Sequence, residues 1–271
     1  MRALGPISRL WHRVPEDIFD RLGVLLNGRQ ATVFVRADDI GIPSASQNRL
    51  LELFIRQRTP LCAAVVPTWM TPARWRETRA LVGHHDHLFA WHQHGWNHRN
   101  HQLLGKKQEF GSEVAAAEKE RMIVAGRRRL EAILGGHFLP VFTPPWNRVD
   151  LETLETLQDR GFLAISRYRD DKLASLPGLP DFPANVDLHT RKEATAELAW
   201  QGLMSELSQA LEGGMVGLML HHQRMNETAF VFLQGLLTLL QSEPRLHLCH
   251  FGDMLDLRSA RRERVPDPCH R

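Results

Sequence analysis

Cysteine is scarce in this sequence. Three occur in 271 residues, Cys62, Cys249 and Cys269. They are scattered and odd in number, and none belongs to a Cys-x-x-Cys pair. This argues against a disulfide framework and suits a reducing compartment. A long apolar run is missing too. The most apolar stretch, Phe230 to Leu240, is broken by Gln234 and Gly235 and falls short of the roughly 20 residues that cross a bilayer. The opening residues, Met1-Arg-Ala-Leu-Gly-Pro-Ile-Ser-Arg-Leu, lack the apolar segment of a secretory leader. The expectation is a soluble, cytoplasmic protein without a transmembrane segment. Neither sign of charge dominates, with 34 Lys and Arg against 31 Asp and Glu and a sequence pI of about 9.0. Part of the excess is local, in Arg127-Arg-Arg129 and Arg261-Arg-Glu-Arg264. No nucleic-acid-binding motif accompanies it, so these runs read as solvated faces and no nucleic-acid partner is expected. Internal repeats and Pro/Gly-rich linkers that would split the chain are also lacking.

What is present is an ordinary globular composition, 43% hydrophobic and 24% charged, in a chain long enough for one large core. Short apolar runs alternate with helical periodicity about seven times. Strands are expected at 32–37, 61–66, 88–91, 138–142, 162–166, 215–220 and 245–249, with a short one near Asn185-Val-Asp187. Helices are expected at 13–27, 49–58, 73–82, 112–134, 150–160, 193–211 and 230–240, with Ser44 or Ser46 capping the second. The alternation implies a parallel sheet covered by helices, in a single domain spanning 1–271 with its core at about 30–256. Residues 170–191, rich in Pro, Gly and Asp, read as an irregular loop, and 257–271 as a mobile basic tail.

Two stretches carry chemistry. From His92 the chain reads His-Gln-His-Gly-Trp-Asn-His-Arg-Asn-His, four histidines in ten residues. Neutral imidazole is the commonest protein ligand for transition metals, although such clusters also occur as solvated surface. The spacing lacks the glutamate of a metalloprotease helix. Far upstream, Thr32-Val-Phe-Val-Arg-Ala-Asp38-Asp39-Ile-Gly41 is a strand-like run ending in two adjacent carboxylates. Two adjacent anions repel, so one gains from a nearby cation. Two imidazoles and a carboxylate suit a catalytic metal. Strand alternation would point Asp38 and Asp39 to opposite faces, so they converge only if the strand ends there. Asp38-Asp39, His94 and His98, Pro145-Trp146 and His221-His222 all follow expected strands. Chemistry gathers at that carboxyl end in parallel α/β folds.

These residues resemble a known family. Asp38-Asp39 after a strand, followed by His94-Gly-Trp-Asn-His98, resembles the metal site of the polysaccharide deacetylases, the NodB-homology carbohydrate esterases, whose second motif often reads His-Thr-Trp-Ser-His. Phe142-Thr143-Pro144-Pro145-Trp146-Asn147 resembles the third motif, Arg-Pro-Pro-Tyr/Trp-Gly. Leu218-Met219-Leu220-His221-His222 resembles the last, an apolar strand ending in His-Asp. The four matches fall in the family's order over residues 32 to 222. The resemblance implies a distorted (β/α) barrel of about seven parallel strands and a metal-dependent hydrolase that removes acetyl from an N-acetylated sugar or related amide. It implies a divalent metal, Zn2+ before Co2+, Ni2+, Mn2+ or Fe2+, held by Asp39, His94 and His98. It further implies Asp38 as general base and His221 as general acid, with His222 as the alternative. Asp187 would be the carboxylate tuning that histidine, and Trp146 and Pro145 would contact substrate or oxyanion. Three departures stand out. Thr143 replaces the arginine that normally holds the base, for which Arg36 or Arg148 is the available substitute. Asn147 replaces glycine, and His222 replaces aspartate. The competing readings are a carbohydrate-binding member without turnover, and a non-haem iron oxygenase.

Overall fold

The computed structural model describes residues 7–168 and 173–263. Its organising strand is β1, Ala31–Ile40, buried along nearly its whole length. Seven further strands follow: β2 Leu61–Val65, β3 Phe89–His94, β4 Phe138–Thr143, β5 Ala164–Ile165, β6 Val186–Asp187, β7 Met215–His221 and β8 Leu246–Leu248. Every ladder between them is parallel. The sheet order is β5-β4-β3-β2-β1-β7-β6, with β8 paired to the start of β1. The stretch before β6 closes the seam. Ile165 N–H donates to Pro180 O at 2.9 Å, Phe182 N–H to Ile165 O at 2.8 Å and Ala184 N–H to Arg167 O at 3.0 Å. The result is the expected distorted (β/α) barrel.

Helices wrap the outside. They are α1 Ile18–Leu26, α2 Ala45–Gln57, α3 Pro72–Val82, α4 Ala116–Leu134, α5 Leu151–Asp159, α6 Ala196–Glu212 and α7 Glu227–Ser242. Polar side chains start most of them by accepting a free N–H of the first turn. Ser44 accepts from Gln47, Thr71 from Arg74, Asp150 from Thr153, Thr195 from Leu198 and Asn226 from Ala229. Helix α4 begins at Ala116, four residues after the expected Ser112, and Ala115 caps it without a side-chain bond.

Alternation along the strands divides the buried residues. Val33, Val35 and Ala37 face the helices and join the main core with Leu50, Phe54, Leu203 and Leu233. Phe34, Cys62, Ala90, Val141 and Ala164 form a separate apolar layer inside the barrel. Above it comes a polar layer of Arg36, His92 and Ser166, and above that the rim of Asp38, His94 and His221.

The apolar layer is completed by an element outside the expectations. After β8 the chain forms α8, Phe251–Glu263. Phe251 is fully buried against Phe34, Phe182 and His92, with ring centroids 5.2, 5.5 and 4.9 Å away. The helix takes in Leu257 to Glu263, the first part of the segment expected as a mobile basic tail, whose remainder lies outside the described residues. Cys62 and Cys249 are unpaired and buried; Cys269 also lies outside. The arginine run is not simply a solvated face, because Arg129 donates to the carbonyls of Pro67 and Met70, both at 2.8 Å. Among the described residues no helix is long and apolar enough to cross a membrane.

Candidate metal centre

The two adjacent aspartates meet in one site because β1 is not regular at its end. Its register with β2 shifts between Ala37 and Ile40, and Asp39 takes a left-handed backbone at φ 65°. This bulge inserts one residue and re-aims a side chain. The strand runs on to Ile40, past the expected end, and the bulge makes the turn instead. Asp38 keeps the inward direction of Phe34 and Arg36, and Asp39 swings toward the histidines.

His94 is the last residue of β3, and His98 lies in the following loop at φ 55°. The Asp39 Oδ1 atom is 3.4 Å from His94 Nε2 and 3.2 Å from His98 Nε2. The three donor atoms lie within 4.8 Å of one another. Tetrahedral ligands about 2.1 Å from a zinc ion stand about 3.4 Å apart, so these separations fit. Two further observations support the fit. Asp39 Oδ1 and His94 Nε2 are buried with no hydrogen-bond partner, a costly arrangement for polar atoms unless an ion joins them. His94 Nδ1 lies 3.0 Å from Thr143 O. A carbonyl only accepts, so Nδ1 carries the hydrogen and the Nε2 lone pair faces the centre. Burial pushes His98 down to about 4, which keeps it neutral and able to ligate. Burial also opposes charge on His94, but the carboxylates of Asp39 and Asp38 hold it above its ordinary value. Burial would raise Asp39, and the surrounding imidazoles pull it well below the usual carboxylate range instead.

Asp38 is held by Arg36. The guanidinium is fully buried and grips the carboxylate twice, Nε to Oδ1 at 2.8 Å and Nη2 to Oδ2 at 2.9 Å. Its other donors reach Ser166 O and Oγ, both at 2.9 Å, and Asn147 Oδ1 at 2.7 Å. Burial works to raise Asp38, yet Arg36, with His94 and His221, holds it lowered and ionised. Arg36 thus stands where the resemblance calls for an arginine from β4, while Arg148 points away to Lys107 O. Thr143 has a different task. His92 Nδ1 bonds Ala90 O at 3.0 Å, so His92 Nε2 accepts from the Thr143 hydroxyl at 2.9 Å. Asn147 explains its own departure. It sits at φ 59°, a backbone that glycine adopts freely and asparagine tolerates best among the rest, and its amide reaches Arg36.

His221 is the register partner of Asp38 across β1 and β7. It lies near enough to lower both Asp38 and Asp39, and its Nδ1 has no hydrogen-bond partner. His222 is 1% exposed, and its Nδ1 has no hydrogen-bond partner. Burial drives it down to about 4. Asp187 makes no hydrogen bond to either histidine among the described residues. Its oxygens accept from Tyr168 OH at 3.0 Å, from the N–H groups of His189 and Thr190 at 2.9 Å, and from the Thr190 hydroxyl. The link runs through His189, whose Nδ1 accepts the His221 N–H at 3.3 Å. Pro145 and Trp146 border the centre. Trp146 takes φ 57°, and its ring centroid is 4.5 Å from that of His98. Trp69 flanks His98 from another side at 5.8 Å, whereas Trp75 packs on Trp91 in the core.

Sequence reasoning missed Glu109 and His189. Glu109 is fully buried, and its carboxylate accepts the N–H groups of Trp96, Asn97 and Arg99 at 3.1, 2.9 and 3.3 Å. It shapes the loop that carries His98. No motif marks it, since it lies eleven residues beyond His98 in a polar loop. His189 lies in the irregular stretch, where no periodicity assigns it a face. His137, without a named partner in the sequence, bonds Asp86 Oδ2 at 2.5 Å.

Comparison with known proteins agrees at the level of the fold. A polysaccharide deacetylase from Mycobacterium smegmatis superimposes with TM-score 0.63 at 16% identity, over 90% of this chain and 95% of that one. A polysaccharide deacetylase from Pseudomonas aeruginosa gives 0.60 at 16%, over 88% and 93%. A PuuE allantoinase gives 0.59 at 16%, over 86% and 92%. The chain has the fold of these proteins, the NodB-type deacetylase barrel. No family profile and no curated protein sequence matches it.

Proposed function

We propose that the chain is a divergent polysaccharide deacetylase, a metal-dependent hydrolase of an N-acetylated sugar or sugar conjugate. The observation that carries this reading is the pair of buried, unbonded atoms, Asp39 Oδ1 and His94 Nε2, facing each other beside His98 Nε2. Asp39, His94 and His98 would hold a divalent ion, zinc first. When bound, such an ion polarises a carbonyl and lowers the pKa of a water. Three protein ligands leave it open to substrate, as in catalytic rather than structural sites.

The rest is the work of the chain. Asp38, kept ionised by Arg36, accepts the proton of the attacking water as general base. An amine leaves poorly, so the collapsing intermediate needs a proton. His221 donates it from the strand neighbouring Asp38. His222 is the weaker choice because its ring is buried and burial drives it down to about 4, which leaves it neutral. Asp187 supports the acid by its charge, since burial works to raise it and His221 lies near enough to hold it lowered, and by shaping the turn that presents His189 to the His221 main chain. Trp146 and Trp69 offer ring faces for a sugar, and the Trp146 N–H and Pro145 border the oxyanion position.

The reading without turnover drew on Thr143 and His222; Arg36 weakens the first motive by gripping Asp38, and the second stands until turnover is measured. An iron oxygenase would use the same two histidines and one carboxylate, but the parallel barrel is not the double-stranded β-helix on which that reading drew. The test pairs two measurements. Elemental analysis should find about one divalent ion per wild-type chain and none in His98→Ala. Acetate release from N-acetylated sugars should require the ion and disappear in Asp38→Asn. Metal-free wild-type protein after reconstitution, or turnover that survives Asp38→Asn, would overturn the proposal.

A further inference from the structure

Between His98 and Glu109 the chain leaves the rim of the centre and returns to it through a hydrogen-bonded neck. Glu109 pins its base, as described. Asn100 Oδ1 accepts the N–H groups of Gln102 and Gln108 at 3.2 and 2.9 Å, and His101 N–H donates to Gln108 O at 3.0 Å. Arg148 ties Lys107 O to the turn that follows Trp146 at 3.1 Å. The neck holds out a short tip, Leu103-Leu104-Gly105-Lys106-Lys107. Leu103 is 84% exposed and Leu104 is 89% exposed.

A single exposed leucine is ordinary, but two adjacent ones on a fixed neck are an apolar feature that nothing among the described residues covers. Their surroundings identify the partner's chemistry. Arg99, Lys106 and Lys107 are exposed, and residues 99–108 contain no acidic side chain. The next carboxylate in sequence, Glu109, is buried beneath main-chain N–H groups; Glu118 stands near His101 at the foot of the loop, where its own partner Arg121 offsets its charge. Cations around a small apolar tip suit an anionic surface. Two leucines are also far too little area for the core of a stable protein interface, which buries roughly 800 Å2 per side. Shallow insertion at the boundary of headgroups and acyl chains needs only such a tip.

We propose that this loop seats the protein on an anionic lipid bilayer. Leu103 and Leu104 enter the headgroup boundary, and Arg99, Lys106 and Lys107 lie against the phosphates. Leu103 follows His98 by five residues, so it stands at most about 18 Å from it along the chain. The centre therefore lies within about that distance of the bilayer when the tip is seated.

The test is co-sedimentation of the full chain with vesicles, mixed phosphatidylcholine and phosphatidylglycerol against phosphatidylcholine alone. Wild type should bind the mixed vesicles, prefer them to neutral ones, and release as salt screens the lysines. Leu103→Ser/Leu104→Ser and Lys106→Glu/Lys107→Glu should each bind at least about tenfold more weakly, with unchanged thermal melting. Both variants keep the basic residues after Ala260, so salt-sensitive binding that both retain would assign the contact to that region and overturn the proposal. Absence of wild-type binding would overturn it too, as would a dimer that only the leucine variant disperses.

Discussion

Arg36 has every guanidinium donor engaged at zero exposure, and one of its partners is a carboxylate that is itself 2% exposed. Removing one member of such a pair leaves the other charge buried and alone, which costs about 3–5 kcal/mol. Arg36→Met is expected to lose that much in urea unfolding. Arg36→Met combined with Asp38→Asn should lose less than Arg36→Met alone, because no orphan charge remains. The sign with pH follows from the lowered Asp38: the pair's contribution is present above about pH 4, the ordinary carboxylate value, and is lost as pH falls through the lower folded-state value. At this scale the sequence was partly readable. Asp39, His94 and His98 stand out by residue type and order, and Arg36 was visible as one substitute for the missing arginine. Its selection over Arg148 was not, because that depends on which strand faces point inward. Glu109 was hidden for a similar reason, since its only role is to accept main-chain N–H groups.

The loop from His94 to Glu109 behaves as one element. Gly95 sits at φ 57°, and a Cβ there would lie 2.1 Å from Glu109 Oε2 and 2.6 Å from Pro145 Cδ. Gly95→Ala is expected to destabilise the protein by at least about 1–2 kcal/mol from the left-handed backbone alone. By displacing Glu109 it should also weaken metal binding, which a competition titration with a chelator would read. Glu109→Ala, which frees three main-chain N–H groups, should weaken metal binding in the same direction while leaving Asp39, His94 and His98 intact. Helix α8 makes a contrasting case. Its polar, arginine-rich sequence gives a weak apolar pattern, so no helix was expected there and the part from 257 read as a tail. One residue, Phe251, explains its order by filling the barrel interior. Phe251→Ala should cost about 3–5 kcal/mol in chemical denaturation. A change below about 1 kcal/mol would show that the helix is dispensable to the core.

At the level of the whole molecule, the barrel interior stores imidazoles in neutral form. Burial pushes His92 and His189 down to about 3 and His222 to about 4. The unfolded chain protonates these groups near pH 6.5, and the fold refuses the protons until far lower. The unfolded state therefore binds more protons in this window, and stability rises with pH across it. Each group contributes on the order of 1 kcal/mol per pH unit. His94, raised by its carboxylates, runs the other way. The expected outcome in chelator is a melting temperature that falls steadily from pH 6.5 toward 4, before the carboxylates titrate, and a shallower fall in His92→Gln. The barrel as a whole was readable because its strands are buried on both faces and give continuous apolar runs. The two-residue strands β5 and β6 were hard to bound, since they lie beside the seam in a Pro- and Asp-rich stretch with little periodicity.

The exchange of an arginine on β4 for one on β1 also constrains how such a site evolves. Thr143→Arg with Arg36 in place would bring a second guanidinium into a filled interior and break the hydroxyl contact to His92. Loss of Arg36 with Thr143 in place would strip Asp38 of its partner. Each single step is expected to cost activity, which would make the two positions an epistatic pair. Thr143→Arg and Arg36→Ala should each impair turnover, and the double variant should recover part of what either loses. Chains sharing this barrel are then expected to keep one arginine or the other, in lineages that seldom interconvert.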